Sequence, residues 1–306
     1  AQVFRCPYHA WLYDLDGSLI DAYDMPDDFD MAANSLIDCH LRVEQGHIFL
    51  NFSRSAEPPS FDGHADSSSA SASTERLNWI GNKYSFEDLK IAARHSYPIR
   101  GNWKLVLENF LECYHCGPSH QNLIKSMNYD YTLTDAQKQR RSGNIGHWLE
   151  EGSGDYHGMG YGGDTHNGEL NPGFVTGSVD GKPVAPLLPG ITDWSHHTDW
   201  ASTHHSAGYW QCYDDHIVLI RFTPRGPGFT DGEISWLVHA DAEEGKDYEV
   251  ERLMALFDIT ILEDTWVIEN NHAGVKSSGY RSGRFSMHEG PPSNFIAWYM
   301  KEVIKA

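Results

Sequence analysis

The segment 101–120, with the sequence GNWKLVLENFLECYHCGPSH, carries the side chains best suited to chemistry. Glu112 and His115 fall at helical spacing, so a helix would place both on one polar face. His115 and His120 are five residues apart and would point about 140° away from each other on an unbroken helix. Pro118 lies between them and stops a helix, so we expect His120 to turn back beside His115 and to share a ligand with it.

A long apolar stripe near the end of the chain predicts a helix over roughly 246–270. Its members are Val250, Leu253, Met254, Phe257, Ile261 and Ile268. Asp264 interrupts this stripe, and an isolated buried carboxylate is costly unless it is paired or bound to a metal. Two imidazoles and one carboxylate form the facial triad typical of non-haem Fe(II) enzymes that activate oxygen. His115, His120 and Asp264 are therefore the candidate metal ligands.

The cysteines near this site allow a different interpretation. Cys113, His115, Cys116 and His120 together would suit a structural zinc cluster, although the two cysteines lack a second close pair of ligands. We favour cysteines that act as small packing residues of the helix. The chain has five cysteines, an odd number, which indicates thiols in a reducing compartment and not a disulfide framework.

The beginning of the chain has its own pair of metal-binding side chains. In RCPYHAW, Cys6 and His9 lie three apart on a predicted tight loop, and the strand and turn YDLDG follow it. We expect residues 1–58 to form a small all-β domain. The Ser-rich stretch 59–75 has too little apolar surface to order itself by packing and is predicted to be a linker.

Residues 76–306 are predicted to form a second domain of the α+β class. Its expected elements are a helix over about 101–116, a Gly-rich irregular region over about 142–208, strands in HIVLIRFTP and EISWLVHAD, and the helix that carries Asp264. The first of these helices would bury an apolar face made of Trp103, Leu107, Phe110, Leu111 and Tyr114.

The composition limits the partners. The formal net charge of −20 repels nucleic acid and anionic lipid, and it suits a cationic small molecule or a basic protein. No stretch approaches the roughly 20 apolar residues of a membrane span, and the first residues show no signal-peptide pattern. The sequence thus predicts a cytoplasmic protein that contacts neither membrane nor nucleic acid.

Three motifs in order resemble the Rieske non-haem iron oxygenase family, in its alpha (oxygenase) subunit. They are CPYHAW, NWKLVLENFLECYHCGPSH and EDTWVIENNHAGVKSSGYRSGRFSMHE. The resemblance implies the C-terminal part of an all-β Rieske 2Fe-2S domain, followed by a helix-grip (START/Bet v1-like) catalytic domain. It assigns Cys6 and His9 as cluster ligands, and His115, His120 and Asp264 as ligands of a mononuclear Fe(II). A Rieske cluster also needs a Cys-x-His pair upstream, which the printed sequence does not contain, so we expect that half of the motif to be missing from it.

The same resemblance implies the route of the electrons. Glu112 lies where most ring-hydroxylating members have the Asp that bridges the two metal centres. The bridge would join the cluster of one subunit, through His9, to the iron of its neighbour in a homotrimer. Electrons would come from a separate NAD(P)H/flavin reductase of the ferredoxin type.

The substrate class follows from the variant of the motif. Glutamate in ENFLECYHC looks like the branch that acts on quaternary ammonium compounds such as glycine betaine. The implied reaction is hydroxylation of an N-methyl group by O2, with release of formaldehyde. An aromatic cage for the cation is expected from Trp194, Trp200, Tyr209 and Trp210. Two alternatives stay open, which are hydroxylation or O-demethylation of an aromatic acid and a non-catalytic zinc-binding domain.

Overall fold

The computed structural model describes residues 2–58, 72–127, 166–202, 208–286 and 289–304. The chain divides into two compact units, residues 1–60 and residues 61–306. Most of the predicted linker, 59–75, lies outside the described residues.

The first unit contains short antiparallel strands in its described part. Its strands are β1 (Phe4–Arg5), β2 (Leu12–Tyr13), β3 (Leu19–Asp21), β4 (His40–Glu44) and β5 (His47–Asn51). The first three form one sheet in the order β1-β2-β3, and β4 and β5 form a separate hairpin. Gln45 and Gly46 connect the hairpin with φ values of 50° and 72°, the left-handed conformation that a two-residue hairpin turn of the I′ type requires.

The second unit is built on a six-stranded antiparallel sheet. The strands are β6 (Leu89–Ile99), β7 (His166–Glu169), β8 (His197–Ser202), β9 (Gly208–Cys212), β10 (Ile217–Gly226) and β11 (Phe229–His239). Their order in the sheet is β6-β11-β10-β9-β8-β7, so β7 to β11 pair in chain order and β6 closes the far edge against β11. Ile234 of β11 faces Ile220 of β10 on one side and His95 of β6 on the other.

Six α-helices are described in this unit. They are α1 (Ala72–Lys83), α2 (Trp103–Phe110), α3 (Cys116–Ser119), α4 (Leu123–Ser126), α5 (Val250–Val275) and α6 (Gly290–Trp298). A π-helical turn, Tyr299–Ile304, continues α6, and a 3-10 turn, Phe86–Asp88, precedes β6. Asn102 begins α2, where its side chain accepts the backbone N–H of Lys104 at 3.0 Å and so satisfies one free donor of the first turn.

The core lies between the sheet and two of these helices, α2 and α5. The sheet contributes alternate residues, as strands with one buried face must, and they include Val218, Ile220, Phe222, Ile234, Trp236 and Val238. From α5 the stripe predicted from the sequence is buried at Leu253, Phe257, Ile261 and Ile268, while Val250 and Met254 pack at its edge. The helix itself runs five residues further than predicted, to Val275.

The prediction of a helix over 101–116 is wrong for the second half of that range. Helix α2 ends at Phe110, and Tyr114, expected on the buried face, is 55% exposed. The cause is local, because the Glu112 carboxylate accepts the backbone N–H groups of Tyr114 and His115. A side chain that bonds to nearby backbone in this way competes with the helix for the same donors.

The region predicted to be irregular over 142–208 is also partly ordered. Its described part contains β7 and β8, and the remainder, 142–165 and 203–207, lies outside the described residues. The predicted mixture of helix and sheet is confirmed at that level. No helix among the described residues is long and apolar enough to cross a membrane.

Candidate metal centre

His115, His120 and Asp264 converge on one point between α3 and α5. His115 is the residue before α3, and His120 is the residue after it. The Nε2 atom of His115 lies 3.1 Å from Oδ1 of Asp264, and the Nε2 atom of His120 lies 3.0 Å from the same oxygen. The two histidines flank the four-residue helix α3 and lie side by side, as predicted. The predicted cause is wrong, because Pro118 lies inside α3 and the preceding helix, α2, already ends at Phe110.

Each imidazole meets a second carboxylate at its other nitrogen. Oε1 of Glu112 lies 2.5 Å from Nδ1 of His115, and Oε2 of Glu263 lies 2.8 Å from Nδ1 of His120. Carboxylates only accept hydrogen bonds when ionised, so both Nδ1 atoms carry the proton and donate it. Such outer carboxylates fix the tautomer and the ring orientation of metal-binding histidines.

The remaining donor set fits a divalent cation. With one proton on each Nδ1, an imidazole that has lost its second proton directs its Nε2 lone pair at Oδ1 of Asp264, and Nδ2 of Asn109 lies 3.2 Å from Nε2 of His115. Three electron-rich atoms that face one another repel unless a positive charge lies among them. Two nitrogens and a carboxylate oxygen are ligands that suit Fe(II). His115, His120 and Asp264 therefore have the chemistry of a metal-binding set.

The electrostatics of the buried groups favour positive charge at the same place. Asp264 is 3% exposed, and burial alone would raise the pKa of its carboxyl, but the hydrogen bonds and charges of His115 and His120 lower it. Burial would lower the pKa of His115, yet hydrogen bonds to Asp264 and Glu112 raise it to about 9. The pKa of His120 is raised by Asp264 and Glu263 against the same effect of burial. The carboxylates that stabilise an imidazolium here would equally attract a metal cation.

Cys113 and Cys116 form a disulfide that encloses Tyr114 and His115, with 4.9 Å between the two Cα atoms. The interpretation of these two cysteines as reduced packing residues is therefore wrong, and so is the expectation that the chain lacks disulfides. The spacing alone could have indicated the bond, because two cysteines three apart can approach to the required distance in a turn. Cys6, Cys39 and Cys212 are free.

The aromatic residues predicted to form a cation cage separate into different places. Tyr209 lies near the triad, where burial and then the charge of Asp264 raise the pKa of its phenol. Trp200 pairs with Gln211 across β8 and β9, which puts it on the same face of the sheet as Tyr209. Trp210 alternates with Tyr209 on β9, points to the opposite face and packs against Phe86 with 6.3 Å between ring centroids. Trp194 lies in the loop before β8, partly exposed.

Cys6 and His9 lie together in the loop between β1 and β2. The loop is closed by two backbone hydrogen bonds, Ala10 N–H to Cys6 O at 3.0 Å and Cys6 N–H to Trp11 O at 2.9 Å. His9 is exposed, and Cys6 is partly buried. Residues 2–58 contain no Cys-x-His pair, so Cys6 and His9 remain the predicted cluster ligands in this part of the chain, two of the four that a Rieske cluster needs.

Two residues of the site were not predicted from the sequence. Glu263 lies outside the apolar stripe of α5, at a position typical of a solvent-facing helix residue. Its carboxylate nevertheless contacts Nδ1 of His120 and orients the ring. Asn109 lies one residue before the end of α2 and reaches His115 across six positions of the chain. Spacing can show which residues share a helix face, but these contacts depend on where α3 and α5 meet, and no sequence signal marks that position.

The sheet, the long helix on it and the His-His-Asp donor set together define a class, that of candidate non-haem metal enzymes. Residues 86–304 match the family model described as "Ring hydroxylating alpha subunit (catalytic domain)". The chain is 31% identical over 310 residues to the glycine betaine monooxygenase oxygenase subunit of Chromohalobacter salexigens, covering 98% of this chain and 66% of that protein. It is 31% identical over 307 residues to the same-named protein of Pseudomonas aeruginosa PA14, covering 98% and 69%.

A crystal structure of a quaternary ammonium Rieske monooxygenase in complex with an inhibitor shares the fold. The TM-score is 0.62 at 22% identity, over 98% of this chain and 72% of that one. The chain belongs to the ring hydroxylating alpha subunit family, and the predicted family is confirmed. The ring-hydroxylating family description and the monooxygenase relatives confirm the predicted enzyme class, an oxidoreductase that incorporates oxygen. The chain spans about two thirds of the length of the curated relatives named above.

Proposed function

We propose that this chain is the catalytic part of a Rieske-type monooxygenase that hydroxylates an N-methyl group of a quaternary ammonium compound related to glycine betaine. One observation carries the proposal, which is that the Nε2 atoms of His115 and His120 both point at Oδ1 of Asp264. The relatives at 31% identity support the substrate class, because they are glycine betaine monooxygenase subunits.

His115, His120 and Asp264 would hold a mononuclear Fe(II), with Glu112 and Glu263 fixing the two imidazoles from behind. When bound, Fe(II) with open coordination positions supplies the activation of O2. The carboxylates have a second role, because three negative charges within one buried site favour a substrate that carries positive charge. The net charge of −20 extends the same preference to the approach of the substrate.

The aromatic side chains that would receive the cation are Tyr209 and Trp200. Both lie on the face of the sheet that packs against α5, and ring faces attract a quaternary ammonium group, which offers no hydrogen bonds. Phe110 lies beside Tyr209 with 6.0 Å between ring centroids and adds an apolar wall for the methyl groups. Trp210 is no longer part of the proposed cage, since it faces away.

The overall reaction balances with two electrons from outside. A methyl group on the quaternary nitrogen, O2, two electrons and two protons yield a hydroxymethyl group and water. The hydroxymethyl group then loses its O–H proton while the C–N bond breaks and its electron pair stays on nitrogen. The products of that second step are formaldehyde, a tertiary amine and a proton.

The proposal includes the rest of the implied assembly. The catalytic unit would be a helix-grip domain, 76–306, joined by a linker to a Rieske domain in which Cys6 and His9 are two of the cluster ligands. Glu112 would bridge to the cluster histidine of an adjacent subunit in a homotrimer, and a ferredoxin-type reductase would supply the electrons.

The experiment separates charge from shape. Glycine betaine and 3,3-dimethylbutanoate have the same outline, but only the first carries a positive charge. Calorimetric titration of the iron-loaded chain should give binding of the betaine at least about tenfold tighter, since cation–π contacts in a desolvated site contribute about 2 kcal/mol. Oxygen uptake with a generic reductase and the protein carrying its full cluster motif should release one formaldehyde for each O2 consumed.

Other outcomes would redirect the assignment. Equal binding of the two isosteres, together with hydroxylated product from a benzoate, would favour an aromatic-acid oxygenase. Stoichiometric zinc that is retained after reconstitution with Fe(II), with no oxygen consumed, would favour a non-catalytic zinc-binding domain.

A further inference from the structure

A sulfur atom lies close enough to the two imidazoles of the candidate metal centre to be a ligand beside them. A nitrogen of His115, a nitrogen of His120 and the Sγ atom of Cys116 all lie within 4.8 Å of one another. Cys116 is 3% exposed, and it is the first residue of α3, the helix that separates the two histidines. The two imidazoles therefore have two possible third partners, a carboxylate on α5 and a sulfur on α3.

The state of the sulfur decides which partner is available. In the disulfide with Cys113, the sulfur of Cys116 is a poor ligand, because metals bind thiolates. The site then offers two nitrogens and an oxygen, a set that suits Fe(II). As a thiolate, the same sulfur is a soft ligand, and a set of two nitrogens and one sulfur favours zinc over iron.

We propose that the Cys113–Cys116 disulfide acts as a redox switch of metal preference. Closed, it leaves a set of two nitrogens and a carboxylate that suits Fe(II), and open, it adds a thiolate that shifts the preference towards zinc. This inference rests on the proposed function only in taking His115 and His120 as metal ligands. It adds a metal site and a form of regulation to them.

The positions of the two sulfurs suit thiol–disulfide exchange with a small thiol or a dithiol protein. Cys113 is partly exposed, and the next residue, Tyr114, is exposed. Cys116, in contrast, is buried. A thiolate from solvent attacks the accessible sulfur of Cys113, forms a mixed disulfide there and releases Cys116 at the metal site. A second thiol then frees Cys113. In total, two thiols are oxidised to one disulfide, and Cys113 and Cys116 each gain one electron and one proton.

The chain offers a matched pair of variants for the test. Cys113→Ser and Cys116→Ser both remove the disulfide, but only Cys113→Ser leaves a sulfur beside the histidines. Cys6, Cys39 and Cys212 are free in both, so any signal from them is common to the pair. Co(II) is the probe, because a cobalt–thiolate bond gives a charge-transfer band in the near ultraviolet and cobalt bound to nitrogen and oxygen does not.

We expect Cys113→Ser to show the cobalt–thiolate band without reductant and Cys116→Ser to lack it under all conditions. Wild-type chain should lack the band as isolated and gain it after anaerobic treatment with dithiothreitol and removal of the reagent. Zinc should resist a chelator in Cys113→Ser at concentrations that strip it from Cys116→Ser. Circular dichroism checks that both variants fold.

A band of equal intensity in both variants would overturn the switch, and so would its absence from reduced wild type in which a thiol assay shows an open disulfide. The proposed function has a separate test with the same cobalt probe and two further variants. Cobalt that still binds oxidised wild type and is lost in His120→Ala and Asp264→Asn supports the triad, even where the thiolate band never forms.

Discussion

The carboxylate of Glu263 lies 2.8 Å from Nδ1 of His120, and Glu263 is the immediate neighbour of Asp264, which meets the other nitrogen of the same ring. One imidazole is thus held at both nitrogens by consecutive residues of α5. Neighbouring helix residues point about 100° apart, so they can reach around the edge of a ring that approaches from the side.

Glu263→Gln tests whether this contact positions His120. The variant keeps the length of the side chain but lets the amide present a donor to Nδ1, which no longer favours the tautomer with a free Nε2 lone pair. We expect affinity for Co(II) or Fe(II) to fall roughly 10- to 100-fold, as is usual for such outer partners of a metal ligand. Glu251→Gln, an exposed position of the same helix, is the control. Unchanged affinity in Glu263→Gln would show that the contact is incidental.

Metal binding should stabilise the fold through Asp264. Bound metal at about 100 times its Kd adds about 2.7 kcal/mol to the free energy of unfolding. For a unit of this size, that corresponds to a rise in Tm of about 5–10 °C. We expect added metal to raise the Tm of wild type and to leave the Tm of Asp264→Asn unchanged, because the new amide is a weak ligand. A rise of the same size in the variant would place the metal elsewhere.

The buried carboxylate of Asp215 gives a prediction on pH. The carboxylate of Asp215 accepts the Thr176 hydroxyl at 2.5 Å, the Val184 N–H at 2.9 Å and Nδ1 of His216 at 2.7 Å. Burial would raise the pKa of Asp215, but the charge and hydrogen bonds of His216 and the other donors lower it. This turn between β9 and β10 therefore anchors the segment that leads to β8.

Asp215→Asn should lower the free energy of unfolding by about 1.5–3 kcal/mol at neutral pH, since hydrogen bonds to a buried charged group contribute about that much. The folded pKa lies below the unfolded one, so the stabilisation is complete above the unfolded pKa and is lost as the pH falls through the folded value. Urea unfolding of wild type and variant should show a constant gap from pH 7 to about pH 5, which narrows below about pH 4. Asp193→Asn, an exposed carboxylate of the neighbouring loop, should show no such gap. A gap independent of pH would mean that shape and not charge holds the turn.

Gly101 sets the distance between α5 and the start of α2. A Cβ atom placed there would lie 2.7 Å from Cγ2 of Ile268, a buried methyl group one turn beyond Asp264. We expect Gly101→Ala to lower the free energy of unfolding by about 1–3 kcal/mol through overpacking, and to weaken metal binding by displacing α5. In Gly274→Ala the new methyl group meets no atom within 4 Å, so we expect stability equal to wild type or higher. Full metal affinity in Gly101→Ala would show that the triad tolerates a shift of the helix.

The two histidines and Asp264 could be identified from the sequence because each depends on a local rule. Pro118 indicated that no unbroken helix joins the two histidines, although α2 ends earlier, at Phe110, and Pro118 itself lies within α3. Asp264 interrupts an apolar stripe that was predicted correctly over most of its length. The end of α2 could not be predicted in the same way, because the competing acceptor, Glu112, is also a good helix former. Trp210 was predicted to lie in the cation cage but points to the other face of the sheet. Side chains alternate between the two faces of a strand, and the sequence does not show which face packs against α5.

The order of strands in the large sheet has a consequence for how the site forms during folding. Strands β7 to β11 pair with their neighbours in the chain, whereas β6 pairs with β11 across more than a hundred residues. Short connections close at a small cost in chain entropy and a long one costs more, so the meander can assemble before β6 is added. Both histidines follow β6, and Asp264 follows β11. In that order of assembly the donor set would be complete only once β6 docks, and the capture of metal would then report on the final step of folding.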